Sequence, residues 1–123
     1  MDGFTTVKAR IPVYFLSKDN TWVSRTFLID TGADVSVIGQ SFARQLANFA
    51  PYRSYTLGQV SGAFSGQYTV FYAMVDGKTF YLPAVVVQEE NYILGRAGFL
   101  DHFNISFYPT HFELKPIEMT RNV

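Results

Sequence analysis

Phe27-Leu28-Ile29-Asp30-Thr31-Gly32-Ala33-Asp34-Val35-Ser36-Val37-Ile38 is the stretch on which the reading of this chain turns. One apolar run, Phe27 to Ile29, leads directly into the polar loop Asp30 to Asp34, and a second, Val35 to Ile38, leaves it. A carboxylate held between two buried strands is costly unless it is hydrogen-bonded or shares a proton. A glycine turn at that point presents Asp30 outward from rigid β structure, which suits catalysis better than solubility. Asp-Thr-Gly alone is a weak signal, because a plain loop explains it as well. In such a loop Asp30 accepts backbone hydrogen bonds and Gly32 supplies a positive φ. The surroundings carry the rest of the weight.

Working outward, Lys8 to Leu16 alternates as a strand, Ser17 to Asn20 is a turn, and Thr21 to Ile29 returns. Beyond the loop, Ser41 is expected to cap a helix with Phe42, Leu46 and Phe49 on one face, ended by Pro51. Tyr55 to Leu57 and Tyr68 to Val75 read as strands around the glycine-rich centre Gly58 to Gly66. Asp76-Gly77 predicts a hairpin returning through Thr79 to Leu82. Val85-Val86-Val87 is apolar on both faces and is expected to be central in a sheet. Tyr92-Ile93-Leu94 is a short strand broken at Gly95. Arg96 to Phe103 is expected to form about two helical turns, before a closing hairpin of Ile105 to Tyr108 and His111 to Leu114. With 17% aromatic residues and strand formers in short runs between turn residues, the pattern is that of an all-β domain.

A chain of 123 residues fits one domain, 1–123, with a core of about 7–114. It can bury roughly two-thirds of its unfolded surface, and its 48% apolar content suits a packed core. Ten basic and ten acidic residues balance, so charge supplies no argument for nucleic acid or an anionic membrane as partner. Absence of cysteine excludes disulfides, thiolate metal sites and a cysteine nucleophile. The start Met1-Asp2-Gly3-Phe4 has no cationic stretch leading into an apolar run. No apolar segment approaches the roughly 20 residues of a membrane helix. A cytoplasmic location is the expectation, and a piece excised from a longer parent is compatible with the same residues.

Taken together, three segments resemble the retropepsins, the single-domain aspartic proteases of retroviral type. The first is Phe27 to Ile38. The second is Ile93-Leu94-Gly95-Arg96 followed by a helix at Ala97 to Phe103, with Gly95 65 positions after Asp30 (95 − 30). The third is the glycine-rich hairpin between them, which is similar to the family's flap. The cellular and bacterial members are more similar still, since they carry a helix after the first active-site strand and a C-terminal hairpin. Gly95-Arg96-Ala97-Gly98-Phe99-Leu100 departs from the shorter viral pattern by what reads as one extra residue at the helix start.

The resemblance implies a closed, barrel-like acid-protease fold with one or two short helices, acting as a two-fold homodimer on peptide or protein substrates without a cofactor. One Asp-Thr-Gly in a chain this short implies that Asp30 meets its symmetry mate on the dimer axis. On the same resemblance, Thr31 hydrogen-bonds across the axis and Gly32 lets an extended substrate approach. Ala33 completes the loop, and Asp34 pairs with Arg96. Val60, Ser61, Gly62, Ala63 and Phe64 form the flap tip, and Val37 and Ile93 line an apolar pocket with Val60 and Phe64.

Other chemistries have little support. His102 and His111 lack partners at metal-ligand spacing, so no metal is expected. Ser41, Ser61 and Ser65 lack the Gly-x-Ser-x-Gly context of a nucleophile. Two alternatives to a protease remain: a retropepsin fold that binds peptides without useful turnover, and an unrelated β-barrel module. The first dimerises; the second is a monomer.

Overall fold

The computed structural model describes residues 8–47, 53–57 and 64–117. Within β1 (Arg10–Leu16), Ile11, Val13 and Phe15 are buried while Arg10, Pro12 and Tyr14 face outward. This is the period-2 pattern of a strand with one face on a core. It pairs antiparallel with β2 (Trp22–Ile29), from Leu16 opposite Trp22 to Arg10 opposite Leu28. Asn20, in the turn between them, takes φ 65°, a conformation asparagine tolerates.

Further along lie β3 (Ser36–Gly39), α1 (Gln40–Ala43), β4 (Arg53–Leu57), β5 (Phe64–Val75) and β6 (Lys78–Val87). They are followed by β7 (Ile93–Leu94), β8 (Phe103–Phe107) and β9 (Phe112–Pro116). Seven strands form one sheet in the order β1-β2-β7-β3-β6-β5-β4. A further pairing, Tyr14 with Met74 and Phe15 with Ala73, joins β1 to β5 and closes six of them into a ring. β4 hangs outside that ring on β5. Pairs β2–β7 and β3–β6 are parallel, and the others are antiparallel.

Asp76 and Gly77 both take positive φ, 52° and 79°, the two-residue turn whose twist matches its strands. From that turn β6 runs unbroken through Pro83, where the sequence suggests two separate strands. The hairpin explains why proline is tolerated. Val75 and Lys78 flank a two-residue turn, so alternation makes Val70–Pro83 a non-hydrogen-bonded pair, and β3 begins its pairing with β6 only at Ala84. Val86 joins the main core, whereas Val85 and Val87 face a second apolar cluster with Val37, Val35, Tyr68 and Ile93. Both faces of this central strand are therefore covered along Val85 to Val87.

The main core has two aromatic nodes. Phe15 lies 5.5 Å from Phe27, 5.6 Å from Phe42 and 6.3 Å from Phe71, and Tyr92 packs edge-on to Phe27 and Phe42. The second node is Phe80, Phe99 and Phe103, with the last two stacked at 5.1 Å. The β8–β9 hairpin packs Ile105, Phe112 and Leu114 against this core. Its end is tied down where Ile117 N–H donates to the His102 carbonyl at 2.8 Å and Lys78 Nζ donates to the Ile117 carbonyl at 3.0 Å.

Both expected helices are shorter than the sequence suggests. α1 is a single turn capped by Gly39, and Ser41 lies inside it with its hydroxyl on Glu90. Phe42 and Leu46 are buried as expected, but the chain leaves the helix early to pair with the end of β1. Lys18 N–H donates to Gln45 O, Ala47 N–H donates to Leu16 O, and Leu46 bridges Ser17. Phe49 lies outside the described residues. In place of two turns from Arg96, Ala97 is extended (ψ 124°) and Gly98 is left-handed (φ 79°), so one turn forms only beyond this kink. At the same place the Ala97 N–H donates to the Asp34 carbonyl at 2.9 Å. No helix among the described residues is long and apolar enough to cross a membrane.

Candidate active site

Asp30 stands where β2 leaves the sheet. Its N–H donates to the Leu94 carbonyl at 2.9 Å, one step beyond the parallel pairs Leu28–Ile93 and Ile29–Leu94. Its carbonyl accepts from Ala33 N–H at 3.1 Å, which closes a β-turn. Its Oδ1 accepts from Gly32 N–H at 2.9 Å. The backbone is thus fixed on both sides, while the side chain is exposed.

Gly32 takes no positive φ, contrary to the plain-loop reading of the sequence. Its missing side chain matters through space, because a Cβ there would lie 3.3 Å from Asp30 Oδ1. Thr31 is exposed beside it, and Ala33 is half-buried.

The segment Leu94 to Ala97 threads against this loop. Arg96 N–H donates to the Ala33 carbonyl at 2.9 Å, and Ala97 N–H reaches Asp34 as described above. Arg96 Nη2 donates to Asp34 Oδ1, so the structure brings these two predicted partners together. Their side chains are 57% and 77% exposed, and an ion pair in that setting contributes only about 0–1 kcal/mol. The two segments are also joined by the backbone hydrogen bonds of Arg96 and Ala97. The kink at Ala97–Gly98 leaves the Arg96 side chain in reach of Asp34 in spite of the apparent extra residue.

Gly95 sits tight against the backbone of this loop. A Cβ on it would lie 2.5 Å from the Val35 carbonyl oxygen and 2.9 Å from that of Ala33. Its N–H donates to Ser36 Oγ at 3.0 Å, in a wholly buried bond. Sequence reasoning passed over Ser36. The available signal is a single polar residue inside the run Val35-Ser36-Val37-Ile38, at a position that shares a face with the core residue Ile38.

Val37 and Ile93 are brought together as paired residues of β3 and β7, with Val35, Tyr68, Val85 and Val87 around them. Val60, Ser61, Gly62 and Ala63 lie outside the described residues. Phe64 is the first residue of β5, opposite Leu57. A cavity of about 250 Å³ is lined by Ser17, Lys18, Asp19, Thr21, Val23 and Gln45, and no residue of the Asp30 loop belongs to it. Among the described residues no cluster of His, Asp or Glu is arranged to hold a metal ion.

No family model and no curated protein matches this sequence. Among solved structures, the chain is similar to the EIAV protease complexed with the inhibitor HBY-793. The two are 22% identical over 78% of this chain and 86% of that one, with a TM-score of 0.54. A closed ring of strands, few and short helices and this likeness agree: the chain has the all-β fold of a retroviral protease.

Proposed function

We propose that the chain is an aspartic endopeptidase that hydrolyses peptide bonds in extended polypeptides, as a homodimer with one Asp30 from each subunit at the axis. The observation that carries this reading is Asp30 itself: an exposed carboxylate that accepts from Gly32 N–H, on a backbone pinned by Leu94 and Ala33, in a fold shared with a retroviral protease.

Two carboxylates close together share one proton, because both cannot ionise at that distance. The ionised Asp30 takes a proton from water as the water oxygen bonds to the scissile carbonyl carbon. The protonated Asp30 gives its proton to the carbonyl oxygen, leaving a neutral diol. The carboxyl that now holds the proton gives it to the amide nitrogen, the C–N bond breaks as a diol hydroxyl loses its proton to the other carboxylate, and the pair again holds one proton. Thr31 steadies the paired loops, and Gly32 leaves room for the substrate backbone. Asp34 and Arg96 brace the loop, the segment from Val60 to Phe64 covers the substrate, and Val37 and Ile93 favour apolar side chains beside the cut.

The test is cleavage of a random peptide library between about pH 4 and 7. The wild type is expected to cut and Asp30→Asn to lose on the order of a thousandfold or more, as when a group acting directly in the chemistry is removed. An Asp30→Asn chain that cuts like the wild type would sink the assignment.

A further inference from the structure

Ser36 is 0% exposed, and its hydroxyl joins two segments 59 residues apart in sequence. At Gly95 the chain has just left its pairing with β2 and β3, and its N–H points at β3 where no backbone carbonyl receives it. β3 pairs with β6 from Ser36 opposite Ala84 onward, so the backbone of Ser36 is already committed to that ladder. The side-chain oxygen is what remains to accept the Gly95 proton.

Leu94, one residue before, accepts the Asp30 N–H. Arg96, one residue after, donates to Ala33. Gly95 is therefore the centre of the strap that holds the Asp30 loop from behind, and its close fit against the Val35 carbonyl leaves it no slack.

We propose that Ser36 is a positioning residue for Asp30: its buried hydroxyl holds Gly95, and through Leu94 and Arg96 sets where the Asp30 carboxylate stands. The inference rests on the reading of Asp30 given above. Without the hydroxyl, Gly95 N–H is left buried with no acceptor, and the strap must shift to find one. Displacements of about 1 Å at a reacting group cost on the order of a hundredfold in rate.

The experiment compares Ser36→Ala, which removes the hydroxyl, with Ser36→Thr, which keeps it. Wild type and Ser36→Thr are expected to cleave a library-derived peptide at rates within about threefold of each other. Ser36→Ala is expected to lose kcat by roughly 10- to 100-fold with KM within about twofold, at equal concentrations of folded dimer. Amide hydrogen exchange supplies a readout that does not depend on cleavage. Asp30 and Gly95 amides are expected to lose protection by about tenfold or more in Ser36→Ala, while Ala73 and Phe80 amides in β5 and β6 keep theirs.

Wild-type kcat and protection in Ser36→Ala would overturn the proposal, as would a loss that a folded Ser36→Thr shares. If the alanine variant does not fold, Ser36→Cys replaces it: a similar size with a much weaker acceptor, and an intermediate kcat expected. A wild-type chain that cuts nothing sinks the endopeptidase reading alone. The exchange measurement then still decides whether Ser36 holds the Asp30 loop.

Discussion

At the scale of single residues, Gly95 has no room for a side chain. Its backbone lies so close to the Val35 carbonyl that a methyl group would sit 2.5 Å from the oxygen. Because the obstacle is backbone, Gly95→Ala is expected to destabilise the fold by about 2–3 kcal/mol in urea denaturation, the range for overpacking at a rigid site. Asp30 and Gly95 were both visible in the sequence because each belongs to a short, local pattern. Ser36 was not, since its role depends on a partner 59 positions away, and nothing in Val-Ser-Val-Ile announces which donor will arrive there. Gly32 shows the opposite error: a glycine in a loop suggested a positive φ, whereas the close approach of Asp30 Oδ1 is what the structure uses.

At the scale of elements, strands were read well and helices poorly. Alternation along β1 and the Asp-Gly turn before β6 are local and survived unchanged. The helices depended on what their backbone met in space, and both gave way. Pairing at Leu46 shortened α1, and the extended Ala97 and left-handed Gly98 interrupt the segment from Arg96. Two left-handed glycines separate conformation from packing. Gly77 has nothing within 4 Å of a would-be Cβ, whereas at Gly98 that atom would lie 2.4 Å from Pro83 Cδ. Alanine at Gly77 is expected to cost about 1–2 kcal/mol for its φ alone. At Gly98 it is expected to cost at least about 1 kcal/mol more, as overpacking is added; thermal unfolding of both variants checks the order.

Glu90 ties α1 to the approach of β7 through Ser41 and Tyr92, and the hydrogen bond from Ser41, then that from Tyr92, lowers its pKa. A carboxylate with a depressed folded pKa stabilises above its unfolded value, and that contribution disappears as pH falls through the folded one. The difference in melting temperature between wild type and Glu90→Gln is therefore expected to be constant near neutral pH. It should shrink as pH drops below the ordinary glutamate value of about 4.3. A gap that widens in acid would refute this coupling.

At the scale of the whole molecule, the question is what one chain can do alone. It carries one exposed Asp30 and no second Asp-Thr-Gly. On the proposed mechanism, activity per chain is expected to fall steeply on dilution below the dimer dissociation constant, with sedimentation showing loss of dimer over the same range. Activity strictly proportional to chain concentration, in a monomer, would exclude a shared site. The overall architecture was legible because many weak local signals, each short strand and turn, agreed with one another. Closure of the ring was expected from the resemblance, but the pairs that close it were not legible, since Tyr14–Met74 and Phe15–Ala73 join strands far apart in sequence.

The position of β4 outside that ring has a mechanical meaning. The six-stranded hoop is complete without it, and among the described backbone pairings β4 joins the sheet through its five-residue ladder with β5. The edge strand is thus separable, in its pairing, from the closed hoop. Hydrogen exchange is expected to show this division, with β4 amides opening well below the global unfolding free energy and those of β1 and β6 opening only near it.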